Sequence, residues 1–395
     1  MSAWTVPGGG GPELRIVPSL NSIGREQWDT LIGPDNFYNS HAWLRGLELA
    51  FGTGDIVTAF RDGTLLGALP TWPGEGDTPG LFCLPQLFPG LLPEAGADRS
   101  ADYLWLGARR SVFNELVCVH GAMRGMTLGV LLRGALELAG SRGATGVIMP
   151  YLPTDDARAL ARAHPGARAL LHDADANMNV PAGGFAEHLA RTGQRDRTRR
   201  RAELRACAHS GTTVEWHPLD GENAGQAARL VTQTRARYGG SAGVGWMERS
   251  FAAQLASGAL RRAIGCFGVR DGRPVAVTIC YAHDDRLYAR YYGFDYRKAE
   301  PACEYFVLTY CAALDYAAAH GFRRYRLAVS APEVKVRRGA TLTPLAAVLL
   351  PLGTAICTPE RAAAVNARTV RRWRARCPTR PWATGPEWDT WDPVS

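Results

Sequence analysis

The chain has 395 residues, of which 46% are apolar and 21% are charged, as in ordinary globular proteins of more than one domain. This composition excludes a disordered chain, a coiled coil and a collagen-like repeat. No apolar run reaches the ~18 residues of a membrane helix, and no signal peptide is visible, so the sequence predicts a cytoplasmic protein without a membrane span. The formal net charge of +8 suits an anionic partner such as RNA, a phosphorylated cofactor or a membrane surface.

Lysine is almost absent from the chain. Of the 45 basic residues, Lys298 and Lys335 are the two lysines and the other 43 are arginines, a bias that is typical of a GC-rich genome and compatible with secondary metabolite biosynthesis. A position that keeps lysine against this bias is a candidate functional position. The nine cysteines are scattered without a CxxC pair, and no HxxxH pair occurs, so the sequence predicts neither a disulfide framework nor a metal site.

The first half of the chain contains a hairpin that is followed by a helix and a strand. Its predicted elements, in chain order, are a strand, two helices, a hairpin, a helix and a strand, at residues 14–17, 24–32, 40–51, 56–72, 131–143 and 146–150. The hairpin turns at Asp62-Gly63, a pair that favours the positive φ angles of a tight turn. The later helix ends at Gly143, a residue that favours the left-handed capping position.

The second half repeats this order after a basic helix. Its predicted elements are the basic helix, a strand, two helices, a hairpin, a strand, a helix and a strand, at residues 185–211, 213–216, 222–238, 246–257, 263–280, 286–295, 302–320 and 324–329. The hairpin turns at Asp271-Gly272 and the later helix ends at Gly321. The shared order predicts two copies of one α/β unit. We expect them at residues 14–182 and 183–355, followed by an Arg/Trp-rich tail at 356–395 whose last twenty residues are loose.

Residues 286–345 hold the most informative pattern. The strand at 286–295 leads through a loop into the helix at 302–320, so the loop amides and the helix N-terminus would face an anion such as a pyrophosphate. The loop reads Arg297-Lys-Ala-Glu-Pro-Ala-Cys303 and contains no glycine. After the next strand comes Glu333-Val-Lys-Val-Arg-Arg-Gly-Ala340.

This combination resembles the FemAB-like branch of the GNAT acyltransferase superfamily. Members often carry Glu-His-Lys-x-x-Arg-Gly-Phe after the last strand, and Glu333, Lys335, Arg338 and Gly339 match that pattern. Valine and alanine stand where histidine and phenylalanine are common, and the glycines of the usual GNAT loop signature are absent. The resemblance implies an α/β (α+β) protein with two tandem GNAT-like folds, each a mixed, mostly antiparallel sheet flanked by helices.

The candidate catalytic residues come from the same stretch. Lys335 would act as a point charge on a phosphate or carbonyl oxygen. Glu304 and Glu333 are candidate bases or amine binders, although the helix dipole alone favours a carboxylate at Glu304. The candidate ligands of the donor or the substrate are Arg338, Tyr292, Lys298 and Arg297.

The basic helix is crowded with arginines between residues 191 and 205. Such charge usually marks a solvated helix face, but a basic face also binds an RNA backbone. The candidate RNA-binding residues are Arg195, Arg199, Arg200 and Arg201.

The resemblance implies an amide-forming N-acyltransferase that needs no cofactor beyond its donor. Aminoacyl-tRNA is the preferred donor because the glycine-free loop, the basic balance and the arginine-rich helix all favour RNA. The acceptor would be an amine of a small molecule or peptide. Two alternatives stay open: an acyl-CoA-dependent N-acyltransferase of the same fold, and a non-catalytic binding protein that uses a GNAT cleft.

Overall fold

The computed structural model describes residues 10–75, 81–89, 91, 100–240, 243–353 and 357–392. The strands are β1 Glu13–Val17, β2 Ile56–Arg61, β3 Thr64–Pro73, β4 Tyr103–Leu106, β5 Val117–Cys118, β6 Gly146–Pro153, β7 Arg168–Asn179, β8 Thr213–Pro218, β9 Ala263–Arg270, β10 Arg273–His283, β11 Arg286–Phe294, β12 Arg324–Arg326 and β13 Thr341–Pro351.

The helices occupy most of the predicted positions, but the predicted helix at 185–211 is divided at residues 191–193. They are α1 Arg25–Asp29, α2 His41–Phe51, α3 Leu84–Leu87, α4 Arg124–Ser141, α5 Thr154–Arg162, α6 Gly184–Ala190, α7 Gln194–His209, α8 Gly221–Arg237, α9 Val244–Ser257, α10 Glu304–Phe306, α11 Ala313–Ala319, α12 Pro332–Arg337 and α13 Pro359–Arg376. A π-helical segment, Val307–Ala312, joins α10 to α11. Within the described ranges, no helix is long and apolar enough to cross a membrane.

The chain divides into two compact units. Unit 1 comprises Met1–Ala176, Val329–Arg337 and Thr341–Ser395, and unit 2 comprises Asn177–Ala328 and Arg338–Ala340. Strands of unit 1 follow the order β1-β2-β3-β4-β6-β13-β7, with β5 on β3. Strands of unit 2 follow the order β12-β11-β10-β9-β8, and the last residues of β7 pair with β12. Both units are mixed α/β structures, which confirms the predicted fold class.

The two hairpins form as the sequence predicts. Asp62 and Gly63 have φ angles of 49° and 77°, and Asp271 and Gly272 have φ angles of 48° and 69°. Two successive residues with positive φ make the two-residue turn whose twist matches that of the flanking strands. The turns join β2 to β3 in unit 1 and β9 to β10 in unit 2.

The helix and strand that follow each hairpin are also present. In unit 1, α4 is closed by Gly143 with a φ of 69°, and β6 begins three residues later. In unit 2, α11 is closed by Gly321 with a φ of 75°, and β12 begins three residues later. Each glycine supplies the left-handed conformation that ends a helix without steric cost. Each unit therefore contains the repeated hairpin, helix and strand.

The structure divides the chain differently from the predicted boundaries at 182 and 355. Strand β13 pairs antiparallel with β6, from Leu345 opposite Pro153 to Pro351 opposite Gly146, and so belongs to unit 1. The sequence analysis assigns no strand to residues 341–351, and the partner of a strand is fixed by tertiary packing, which a local pattern does not carry.

Residues 357–392 of the C-terminal segment are packed, contrary to the predicted loose end, and residues 393–395 lie outside the described residues. Helix α13 starts at the N-cap Thr358, and Asn366 on this helix accepts a hydrogen bond of 2.8 Å from the Leu171 amide. Trp388 is completely buried, and its indole N–H donates to the Leu342 carbonyl at 2.7 Å. Trp373, Trp388 and Trp391 are therefore buried residues of unit 1, whereas Trp382 is exposed. The segment after α13 contains short 3₁₀ turns without helical periodicity.

Candidate functional site

Lys335 is buried in unit 1. It lies on the short helix α12, and only 5% of its surface is exposed. Burial lowers the pKa of Lys335 to about 8, and the carboxylates of Asp175 and Asp173 oppose that shift. At neutral pH the amine is therefore mostly charged and held beside two acidic groups. This is the environment of a functional lysine rather than of a solubilising one.

Asp173 and Asp175 are the acidic partners that sequence reasoning missed. They are two residues apart on β7, so their side chains share one face of that strand. Burial raises the pKa of Asp173 to about 7, against the opposing effects of the Ala174 amide, of Arg376 and of Lys335. The signal in the sequence was the run His-Asp-Ala-Asp-Ala, because buried carboxylates rarely occupy an interior strand without a role.

His172 occupies the opposite face of β7 and is also buried. Its Nε2 accepts a hydrogen bond of 3.0 Å from the backbone N–H of Tyr151, and burial lowers its pKa to about 3. The imidazole is therefore neutral, with its second nitrogen carrying the proton. Tyr151 itself has a φ of 60°, an unusual conformation for a bulky residue.

Glu333 does not share the buried environment of Lys335. Its side chain is about 40% exposed, and its Oε1 accepts a hydrogen bond of 2.5 Å from Nε of Arg376. Partial burial raises its pKa, but the hydrogen bond from Arg376, the residue's own backbone amide and the charges of Arg376 and Arg337 together leave the pKa below its usual value. Glu333 is therefore a surface ion-pair partner, and this geometry disfavours the predicted role as a base.

Arg338 lies in unit 2 and is committed to an ion pair. Its Nη1 and Nη2 donate to the two carboxylate oxygens of Glu203 at 2.5 and 2.7 Å, and both residues are buried. The guanidinium also lies 4.0 Å from the ring centre of Phe306. The next residue, Gly339, has a φ of 102°, and a Cβ there would approach the ring of His188 to 2.6 Å. The Arg-Gly pair of the motif therefore has a structural role in unit 2. Arg338 binds Glu203, and its guanidinium does not face an open anion site.

Glu304 begins the helix that follows the donor loop, and it is 1% exposed. Its carboxylate forms an ion pair with Arg270, accepts a hydrogen bond of 3.2 Å from the Thr212 hydroxyl, and accepts one of 2.6 Å from the Ala302 amide. Cys303, directly before it, has a φ of 71°. A carboxylate that binds three donors holds these segments together and is not free to accept a proton from a substrate. This geometry therefore disfavours the predicted role of Glu304 as a base.

Tyr292 on β11 is half-buried and packs against the core of unit 2. Its ring lies 4.8 Å from that of Tyr305 in an edge-on arrangement, and it borders the cluster of Cys266, Ala276 and Leu308. Burial raises its pKa, with the Glu304 carboxylate as the next cause. Tyr292 is therefore a neutral core-flanking residue in the described structure.

Arg297 and Lys298 lie on an open groove of unit 2 with a volume of about 890 Å³. The groove is bounded by the donor loop, by the hairpin turn between β9 and β10, and by the middle of α8. Both side chains are exposed. The structure thus places these two predicted donor ligands together on one basic surface.

The arginines of α7 separate into two groups. Arg195, Arg199 and Arg201 are exposed, whereas Arg200 is 3% exposed. Burial lowers the pKa of Arg200, and the neighbouring charge of Arg338 lowers it further. Arg200 is thus a buried structural arginine and not part of the outer face, because helical periodicity turns one arginine in this run inward.

Comparison with known families gives one match over most of the chain. The model of the FemAB-like family, described as peptidoglycan biosynthesis/recognition, matches residues 114–349. No curated protein matches the sequence.

Three solved structures share the fold at low sequence identity. The C-terminal domain of a candidate lysylphosphatidylglycerol synthetase from Agrobacterium fabrum is 11% identical, with a TM-score of 0.53 over 89% of this chain and 96% of that one. FemX is 13% identical, with a TM-score of 0.53 over 82% and 96%. A conserved protein of unknown function from Bacteroides thetaiotaomicron is 12% identical, with a TM-score of 0.51 over 83% and 98%. At such identities the likeness establishes the fold alone.

Proposed function

The chain belongs to the FemAB-like family and is an acyltransferase, and on that premise we propose that it transfers an aminoacyl group from an aminoacyl-tRNA to the amine of a small molecule or peptide. The amine nitrogen would attack the ester carbonyl of the donor. The new bond is the amide C–N bond, the C–O bond to the terminal ribose breaks, and the amine proton leaves with the ribose oxygen. No oxidant or metal is needed to balance this step.

The observation that carries the choice of donor is the carboxylate of Glu304. An acyl-CoA donor would need the loop amides and the start of the following helix for its pyrophosphate. In this chain the Ala302 amide, the Thr212 hydroxyl and the Arg270 guanidinium all bind the Glu304 carboxylate instead. A carboxylate of the chain itself occupies these three donors, so they are not available to a pyrophosphate. This supports a donor other than a CoA thioester.

Lys335 supplies the electrostatic part of the proposed reaction. Its pKa of about 8 leaves the amine mostly charged at neutral pH, and a buried charge acts through a low dielectric. A positive charge beside the carbonyl oxygen would stabilise the negative charge that develops there in the transition state. The same charge disfavours a protonated acceptor amine and so favours the neutral nucleophile.

The test is transfer of a radiolabelled amino acid from charged total tRNA to a panel of amine and peptide acceptors. We expect product that is abolished by prior RNase treatment, and no product from acetyl-CoA. Turnover that resists RNase and requires a CoA thioester would contradict the proposal and favour the acyl-CoA alternative.

A matched pair of variants tests the part that Glu304 has in donor choice. Glu304→Gln and Glu304→Ala remove the charge from the anchor, whereas Glu300→Ala removes an exposed glutamate of the same loop. We expect tighter CoA binding in the first two variants and unchanged binding in the third, measured by isothermal calorimetry. Glu304→Gln retains the size of the side chain, so it answers the question if Glu304→Ala fails to fold. CoA affinity that is equal in all the folded proteins would contradict the blocking role.

A further inference from the structure

The groove of unit 2 carries four cations that have no acidic partner. Arg229, Arg273, Arg297 and Lys298 are all exposed on its walls, and none of them pairs with a carboxylate of the described residues. The fifth cation, Arg270, is neutralised by Glu304. Two acidic residues, Asp271 and Asp295, also line the groove. The lining keeps a positive excess that a ligand of the opposite charge would neutralise.

A buried, unsatisfied hydrogen-bond acceptor belongs to one of the residues that line the groove. Gln233 of α8 lines it, and its side-chain oxygen is buried without a hydrogen-bond partner among the described residues. A buried acceptor without a donor costs free energy, so a ligand that supplies a hydroxyl would be favoured at this point. A ribose 2′-hydroxyl is such a donor, and it distinguishes RNA from DNA.

Aromatic residues stand beside the cations. Tyr296 lies in the donor loop between two groove-lining residues, and the Arg237 guanidinium lies 4.7 Å from its ring centre. Tyr238, at the end of α8, is 78% exposed. Tyr238 is thus the exposed ring beside the groove, and Tyr296 is partly buried. Single-stranded nucleic acid requires charges for its phosphates and ring faces for its bases.

The groove connects to α7. Ser210, the C-terminal cap of that helix, is one of the groove-lining residues, and the helix spans 16 residues, or about 24 Å. Its exposed arginines therefore lie on the element that leads to the groove. Together, the basic helix and the basic groove form a longer positively charged surface for a nucleic-acid strand than either feature forms alone.

From these features we infer that the unit 2 groove binds a single RNA strand, with Arg229, Arg273, Arg297 and Lys298 on phosphates and Gln233 on a ribose hydroxyl. The inference rests on the proposed aminoacyl-tRNA donor and assigns the place where its single-stranded end would lie. The phosphates of CoA share part of this chemistry, so CoA is the competing ligand that the experiment must separate from RNA.

The experiment is fluorescence anisotropy with a labelled 12-nucleotide single-stranded RNA and its DNA counterpart, at several salt concentrations. The groove variant is Arg273→Ala/Arg297→Ala, and the matched control is Arg133→Ala/Arg162→Ala, which removes two exposed arginines of unit 1. We expect about tenfold weaker RNA binding and a salt slope smaller by roughly 1.4 in the groove variant, because each lost phosphate contact of a single strand contributes about 0.7. The control should bind as the unaltered protein does.

Gln233→Leu tests the ribose contact separately. The unaltered protein should bind the RNA more tightly than the DNA, and this preference should disappear in Gln233→Leu. Unchanged RNA affinity and salt slope in the groove variant would overturn the inference. Loss of CoA binding without loss of RNA binding would also overturn it and would assign the groove to CoA.

The outcome is independent of the transfer assay. Aminoacyl transfer by a protein whose groove variant binds RNA normally would leave the proposed function intact and remove the groove from it. Groove-dependent RNA binding without any transfer from charged tRNA would support the groove as an RNA site and contradict the proposed aminoacyl transfer.

Discussion

Lys335 offers the sharpest test because one substitution has both a thermodynamic and a kinetic consequence. Lys335→Met removes the charge and keeps most of the side-chain volume. Burial lowers the pKa of the lysine from 10.5 to about 8, so the site holds the charged amine roughly 3 kcal/mol less favourably than water does. That cost is present at neutral pH in the unaltered protein and absent from the variant.

The cost of the buried charge disappears as the pH rises. Between pH 8 and 10.5 the unfolded chain still holds the proton that the folded chain has released, so the free energy of unfolding increases with pH in this window. From pH 7 to pH 9.5 the gain is about 2 kcal/mol for a folded pKa of about 8 and an unfolded pKa of 10.5. Loss of Lys335 also raises the pKa of Asp173, which favours the unaltered protein further at high pH.

The measurement is urea-induced unfolding of both proteins at pH 7 and pH 9.5. The unfolding free energy of the unaltered protein, relative to that of Lys335→Met, should rise by about 2 kcal/mol or more between the two pH values. Buried thiols lower the free energy of unfolding as the pH rises, because burial raises the pKa of Cys118, for example, to about 11. They are common to both proteins and cancel in the difference.

The kinetic consequence is a loss of transition-state stabilisation. If the charge of Lys335 polarises the carbonyl, kcat/KM should fall by ~100-fold or more in Lys335→Met, the scale of losing one preorganised donor. Lys298→Met, in the donor loop, is the matched control, and it should weaken donor binding more than it slows the chemistry. Normal kcat/KM in Lys335→Met would remove the residue from the site. An unchanged stability difference at the two pH values would show that the lysine is not held in a desolvated environment.

Three further predictions concern residues that the structure places differently from their predicted roles. Arg338→Ala should destabilise the protein by about 3–5 kcal/mol, because it leaves the Glu203 carboxylate buried without its partner, and the double variant with Glu203→Ala should recover part of that loss in urea unfolding. Glu333→Gln should change the unfolding free energy by less than about 0.5–1 kcal/mol and leave kcat/KM unchanged, since it breaks only a surface ion pair. Trp388→Ala should cost about 3–5 kcal/mol, and a normal melting temperature in this variant would contradict the packing of the C-terminal segment.

Local chemistry explains why much of the fold was predictable. The Asp-Gly turns and the helix-ending glycines are decided by φ angles that few other residues adopt, and all of them occur where the pattern places them. The pairing of β13 and the packing of the C-terminal segment were not predictable. An apolar strand pairs wherever its face is buried, and Trp388 gains its burial from a distant strand of unit 1 rather than from its neighbours.

The candidate site was predictable only in part. The codon bias drew attention to Lys335, and the structure places that residue in a buried acidic environment. The partners Asp173 and Asp175 come from β7, more than 150 residues earlier in the chain, and no local spacing connects them to Lys335. Glu304 was identified as a candidate, but its donors come from three separate segments, so only the structure shows that its carboxylate is occupied.

The two lysines of the chain make a final comparison, because both resist the bias towards arginine but lie in opposite surroundings. Lys335 is buried beside Asp173 and Asp175, where a wider, planar guanidinium with fixed donors would need room that a compact ammonium does not. Lys335→Arg should therefore cost about 1–3 kcal/mol from overpacking and recover little of the kcat/KM lost in Lys335→Met. Lys298 is exposed on the groove, where either cation reaches a phosphate, so Lys298→Arg should keep both stability and donor binding. Full activity in Lys335→Arg would show that the site needs only a positive charge. It would contradict the argument that lysine is kept there, against the bias towards arginine, because of its compact shape.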